Sequence, residues 1–235
     1  MLISLTKRFT ARAIVACALA TVATTRADAT DDHSTAGFFE ITVTNITRGQ
    51  QFTPILVASH KAGLRLFELG TPASSELQIV AEEGNVAPLT QALQAMPGVL
   101  EVTNSGALLD PGASVKIRVR TRGSFDHVSV AAMLIPTNDA FFAVNGARGP
   151  RGRGTRILTS VAYDAGSERN DELCASIPGP FFAECGGPGG GAAPAGGEEG
   201  YVHVHAGIHG IGDLTASQRD WRNPVARVTI LRVPR

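Results

Sequence analysis

Apolar and polar residues alternate from Phe38 to Thr47 (FFEITVTNIT), the pattern of a half-buried strand. Ile55–Ser59 and Leu64–Phe67 read as further short strands. Pro72–Gly84 (PASSELQIVAEEG) and Ala87–Met96 (APLTQALQAM) take helical spacing, each opening near a proline and closing near a glycine or proline. Val99–Thr103 returns as a strand. Ser114–Arg120 (SVKIRVR) has period two, and Phe125–Leu134 (FDHVSVAAML) is another such strand, with Gly123 in the hairpin turn between them. Ala140–Val144, Arg156–Tyr163, Gly200–His205 and Val225–Val233 complete the run. Two short helices inserted among so many strands predict a mainly β fold, an antiparallel β-sandwich. The glycine-rich stretch 186–200 reads as a flexible loop inside that fold, because strong strand signals follow it, so 37–235 is expected to be one domain.

The first 29 residues carry a different pattern. Lys7, Arg8 and Arg12 precede an apolar run, Ala13–Ala23, and Ala27-Asp28-Ala29 supplies a small-x-small cleavage site. This predicts a signal peptide over 1–29 and a linker over 30–36, with the chain exported to the periplasm or beyond the cell. The apolar run is too short for a span of ~20 residues, so no transmembrane segment is expected in the mature chain. Ile14-Val15-Ala16-Cys17 offers a competing lipobox reading, in which Cys17 is lipidated. Cleavage after Ala29 leaves Cys174 and Cys185, and an even pair in an exported chain reads as a disulfide, two free thiols being the alternative.

The 235 residues have a formal net charge of zero. Cleavage at Ala29 leaves 17 cationic and 20 anionic side chains, a net of −3. That balance argues against nucleic-acid binding by bulk electrostatics. Hydrophobic residues at 43% and charged ones at 18% fit neither wholesale disorder nor a polytopic membrane protein.

Candidate chemistry lies in the loops. Asp139 follows one strand pattern, Asp164 ends another, and Glu168 comes four residues later after a turn at Gly166. Crowded carboxylates repel unless protons or a cation intervene. Hard oxygens on loops suit Ca²⁺, with Asn138, Asn170 and Asp171 as further donors. Solvated acids that cap turns are the alternative. In Tyr201–Gly212 (YVHVHAGIHGIG), His203 and His205 share a strand face and His209 follows a turn. That spacing admits a Zn²⁺ or Cu²⁺ site at His203, His205 and His209, or histidines that only hold neighbouring loops. The chain has no GxSxG, HExxH or P-loop, and no serine or cysteine is placed to partner these histidines, so a non-enzyme is expected. Arg148–Arg156 (RGPRGRGTR) reads as a basic solvated loop able to meet anionic glycans or lipid heads, and Trp221 as a core anchor before the last strand. Asn45-Ile46-Thr47 matches a glycosylation sequon.

Several stretches resemble the spondin domain family, of F-spondin and mindin type, in a form like its short secreted bacterial members. These are Phe39–Val43, Pro54–His60, Phe67–Gly84, Ile135–Asp139, Asn223–Ile230 and above all Tyr163-Asp164-Ala165-Gly166-Ser167-Glu168. The resemblance covers about Gly37 to Val233. It implies an antiparallel β-sandwich like the calcium-dependent membrane-binding modules. It also implies one Ca²⁺ held by Asp139, Asp164 and Glu168, and a non-catalytic adhesion role toward a protein or glycan at the cell surface or matrix. Two departures stand out. Glu168 occupies a position that is Asp in the animal domains, and Ala140 one that is Trp.

Overall fold

A computed structural model describes residues 36–180 and 182–234. The expected signal peptide, the competing Cys17 lipobox and the expected linker up to residue 35 lie outside the described residues.

The strands run in chain order as β1 (Gly37–Asn45), β2 (Gln51–Phe52), β3 (Leu56–His60), β4 (Val99–Asn104), β5 (Ser114–Thr121), β6 (His127–Ile135), β7 (Ala140–Arg148), β8 (Thr155–Ser160), β9 (Ala162–Asp164), β10 (His203–Val204) and β11 (Ala226–Pro234). Helices α1 (Ser75–Glu83) and α2 (Ala87–Gln94) separate β3 from β4, and α3 (Ala216–Arg219) precedes β11. All pairings are antiparallel. One sheet has the order β5-β1-β11-β8, the other β10-β9-β7-β6-β3-β4 with β2 alongside β6. This is the expected mainly β sandwich with two inserted helices.

The alternation in β1 sends Phe39, Ile41 and Val43 into the space between the sheets, where they meet Val128, Val130, Phe142 and Val144. Each such side chain withdrawn from water contributes about 1.5–3 kcal/mol. A second apolar layer lies on the other face of the larger sheet. There Leu56, Ala58, Ala131 and Phe141 are covered by Leu77 and Val80 of α1 and Leu89 and Leu93 of α2. Ser74 caps α1, its hydroxyl accepting from Leu77 N at 3.3 Å, and Pro88 sits in the first turn of α2.

Four details depart from the periodicity. β6 is expected to bury one face, but the sandwich covers one side and the helices the other, so nearly all of it is buried. Leu64–Phe67 forms no strand, because the Asn145 side chain takes over its backbone bonds. Leu66 N donates to Asn145 Oδ1 (2.7 Å), and Asn145 Nδ2 donates to Phe67 O (2.8 Å). The stretch 156–163 crosses between sheets, with β8 pairing β11 and β9 pairing β7. At the crossing, the Ser160 hydroxyl both accepts from Ala143 N and donates to Ala143 O. The strand expected over 200–205 shortens to His203–Val204.

Cys174 and Cys185 are joined in a disulfide. The glycine-rich stretch beyond it is partly docked rather than free. Gly190 N donates to Cys174 O (2.8 Å), and a Cβ on Gly190 would come within 1.9 Å of Ala175 O. Asn45 of the sequon is wholly buried, and its Nδ2 donates to Gln50 O (2.7 Å) and Leu109 O (3.1 Å), so the folded chain offers no acceptor there. Trp221 joins the core between the sheets. Among the described residues no helix is long and apolar enough to cross a membrane.

Candidate functional site

The register of the larger sheet brings three acid- and histidine-bearing segments to one end. Ala140 of β7 stands opposite Asp164 of β9, and His203 of β10 stands opposite Asp164 on the other side. Asp139, one residue before β7, therefore lies beside Asp164.

Both carboxylates are buried. Asp139 Oδ2 accepts from Ser167 N (2.8 Å), Ser167 Oγ (3.2 Å) and Glu168 N (3.0 Å), while its Oδ1 is buried with no partner. Asp164 Oδ1 accepts from Gly166 N (2.7 Å) and Oδ2 from Asn170 Nδ2 (2.7 Å). Burial, then the charge of Asp164, pushes the Asp139 carboxyl up to about 8. Asp164 is also raised, by burial, against the pull of Asn170, Gly166 N–H and His203. Two adjacent carboxylates in low dielectric cannot both ionise freely without a cation.

Glu168 is placed differently. Its Oε1 accepts from Ala193 N (3.1 Å), its Oε2 is buried without a partner, and burial followed by the charge of Glu82 raises it to about 7. Asn138, Asn170 and Asp171 are already engaged. Asn138 Nδ2 donates to Asp171 Oδ1, Asn138 Oδ1 accepts from Glu172 N, and Asp171 also accepts from Leu173 N and the Ser176 hydroxyl. Burial pushes Asp171 up, but these bonds outweigh it and hold its pKa below the usual value.

Gly166 explains why the turn after Asp164 is built as it is. Its φ is +66°, and a Cβ there would come within 2.3 Å of Tyr201 O. The bare backbone lets the 200–203 segment close in, with Gly200 N donating to Gly166 O at 2.8 Å. That approach delivers the histidines.

As the spacing predicts, His203 and His205 share a face, and both turn toward Asp164. Their Nε2 atoms lie 3.9 and 3.7 Å from Asp164 Oδ2. They are not equivalent. His205 Nδ1 accepts from Gly207 N (2.9 Å), so its proton is on Nε2 and goes to Asn170 Oδ1 (3.1 Å). Burial, then the charges of His203 and His209, lowers its pKa to about 3, so it is neutral with both nitrogens spent. His203 Nδ1 meets only a carbonyl, Tyr201 O at 3.3 Å, and must donate to it, which leaves Nε2 as the atom facing the acids. His209 is exposed.

Among the described residues, one group of His, Cys, Asp and Glu has candidate ligand atoms all within 4.8 Å of one another: Asp164, Glu199 and His203. Asp139, Glu168, His205 and His209 are outside it. Sequence reasoning missed Glu199, although an acidic pair four residues ahead of His203 was there to be read. It also missed Glu172. This buried carboxylate accepts from three successive backbone donors, His209 N (2.6 Å), Gly210 N (2.7 Å) and Ile211 N (3.0 Å), and so clasps the loop after the histidines.

No curated protein matches the chain. The family model described as Spondin_N matches residues 39–148, a segment that contains Asp139 and ends before Asp164 and Glu168. Residues 39–148 thus match the spondin domain family, and they fold as most of β1, strands β2 to β7 and helices α1 and α2.

Proposed function

We propose that this protein is an exported, non-catalytic binding module in which a calcium ion, held by Asp139, Asp164 and Glu168, sets the loops that meet a protein or glycan at the cell surface or matrix. One observation carries the reading: Asp139 and Asp164 lie side by side and buried, with Asp139 Oδ1 unpartnered. The donor types suit the ion, although the three carboxylates do not all lie within 4.8 Å of one another, so binding would draw them closer. Hard carboxylate oxygens suit Ca²⁺, and the unpartnered Glu168 Oε2 is a third oxygen of that kind. Calcium would supply the positive charge that the two aspartates lack. The chain's own contribution is to hold the loop backbone in place, with Ser167 N and Glu168 N already bound to Asp139. The Cys174–Cys185 disulfide is in keeping with an oxidising compartment.

A serine–histidine pair does occur, His60 Nε2 to Ser129 Oγ at 2.9 Å, but both residues are wholly buried and Ser129 Oγ also accepts from Gly146 N. It is a core hydrogen-bond chain with no access for a substrate.

Thermal unfolding in EDTA, then with Ca²⁺ or Mg²⁺, tests the calcium site. An ion that binds only the native state stabilises it by about 2.7 kcal/mol at a hundredfold excess over Kd. For a domain of this size that is a rise of about 5–10 °C in Tm. The rise is expected with Ca²⁺ and is lost in Asp139→Asn. An unchanged Tm in Ca²⁺ sinks the assignment.

A further inference from the structure

We infer that Asp164, Glu199 and His203 form a second cation site at the open edge of the larger sheet, selective for a borderline transition ion of the Zn²⁺ class. Only Asp164 is common to this site and the calcium reading, so either can fail alone.

The donor set carries the argument first. One ligand atom each from Asp164, Glu199 and His203 lies within 4.8 Å of the other two, so a single ion can reach all three. One imidazole and two carboxylates suit Zn²⁺ better than Ca²⁺, which takes oxygens alone.

The histidine supplies a second observation. Its Nδ1–H is committed to Tyr201 O, as the outer nitrogen of a metal-bound histidine usually is. In the tautomer that donates from Nδ1, the Nε2 lone pair faces the Asp164 carboxylate at 3.9 Å, acceptor facing acceptor. A cation between them turns that opposition into coordination. The third observation is the wholly buried Asp139 beside Asp164, whose Oδ1 has no partner and leaves an unsatisfied oxygen behind the site.

The location lets an ion in. β10 pairs only with β9 and is the last strand of its sheet, His203 is half-buried, and Glu199 is exposed. Three protein ligands leave a fourth tetrahedral position for water or for a partner's donor group. His205 stays outside as a support. Its Nε2–H holds Asn170 Oδ1, and Asn170 Nδ2 in turn holds Asp164 Oδ2.

Isothermal titration of the EDTA-stripped protein with ZnCl₂, and separately with CaCl₂, tests the site. Zn²⁺ is expected to bind one to one. His203→Ala should weaken Zn²⁺ at least tenfold and Glu199→Gln several-fold, with Ca²⁺ binding unchanged in both. His209→Ala should leave Zn²⁺ binding as in the wild type. Asp139→Asn should depress Ca²⁺ far more than Zn²⁺, which separates the two sites. Both Zn²⁺ ligand changes lie at the surface, and an unaltered far-ultraviolet circular dichroism spectrum shows that the variants fold. No Zn²⁺ binding by the wild type overturns the inference, as does Zn²⁺ binding that is indifferent to His203→Ala and Glu199→Gln.

Discussion

The two ends of the sandwich handle charge in opposite ways. At one end, backbone N–H groups converge on buried acids: Asp139 takes Ser167 N and Glu168 N, Asp164 takes Gly166 N, and Glu172 takes three in a row. At the other end, where His127 of β6 stands opposite Arg148 of β7, the charge is cationic and lies mostly on the surface. Arg148 and His127 share Asp126, at 2.8 and 2.7 Å, Arg156 donates to Arg148 O, and Arg151 and Arg153 are exposed. The basic run is the more conspicuous in the sequence, yet the acidic end holds the candidate site. Density of charge along the chain does not make a site; desolvation and convergence from separate strands do.

The comparison breaks if the acidic end proves as tolerant as the basic one. Glu172→Ala is expected to cost about 3 kcal/mol, since a hydrogen bond to a charged group contributes about 1.5–3 kcal/mol and three are lost at once, partly replaced by water at the exposed His209, Gly210 and Ile211. Chemical denaturation measures it, and hydrogen exchange should show faster opening of residues 205–213. Gly166→Ala should cost about 3 kcal/mol, the left-handed backbone and the Tyr201 carbonyl each opposing a Cβ. It should also depress metal binding, because the 200–203 segment is pushed off Asp164.

A smaller effect is pH-dependent. The Asp139 carboxyl is raised to about 8 in the fold, against about 4 unfolded. Between these values the native state holds a proton that the unfolded chain has lost, so the contribution to stability is full below about pH 4 and is lost as pH rises toward 8. In EDTA, Asp139→Asn should therefore gain on the wild type in Tm between pH 5 and 8, and saturating Ca²⁺ should close the gap. An identical pH profile for the two proteins would refute the buried-carboxylate reading. The smallest effect belongs to the basic end, where Arg153→Ala should stay within about 0.5 kcal/mol.

Much of this was legible in the chain. The alternation in Phe38–Thr47 and Ser114–Arg120 is local physics, because a strand shows opposite faces at successive residues and a half-buried strand must alternate. The same rule put His203 and His205 on one face, and the Asp164-Ala165-Gly166 turn was readable because a glycine beside an acid marks a sharp bend. The Cys174–Cys185 pair needed only a count and the expectation of export. These features depend on a residue and its near neighbours.

What tertiary structure alone decided depends on partners far away in the chain. Helices laid over the larger sheet removed the exposed face of β6. Asn145 turned Leu64–Phe67 into a loop from 78 or more residues away. The 156–163 stretch changed sheets at Ser160, and Glu199 and Glu172 gained their roles from the segments docked against them. Periodicity reports whether a side chain is wetted on average, but it cannot report which distant donor or acid will arrive beside it. Whether a carboxylate is a solvated loop acid or half of a buried pair is therefore set only when the strands assemble.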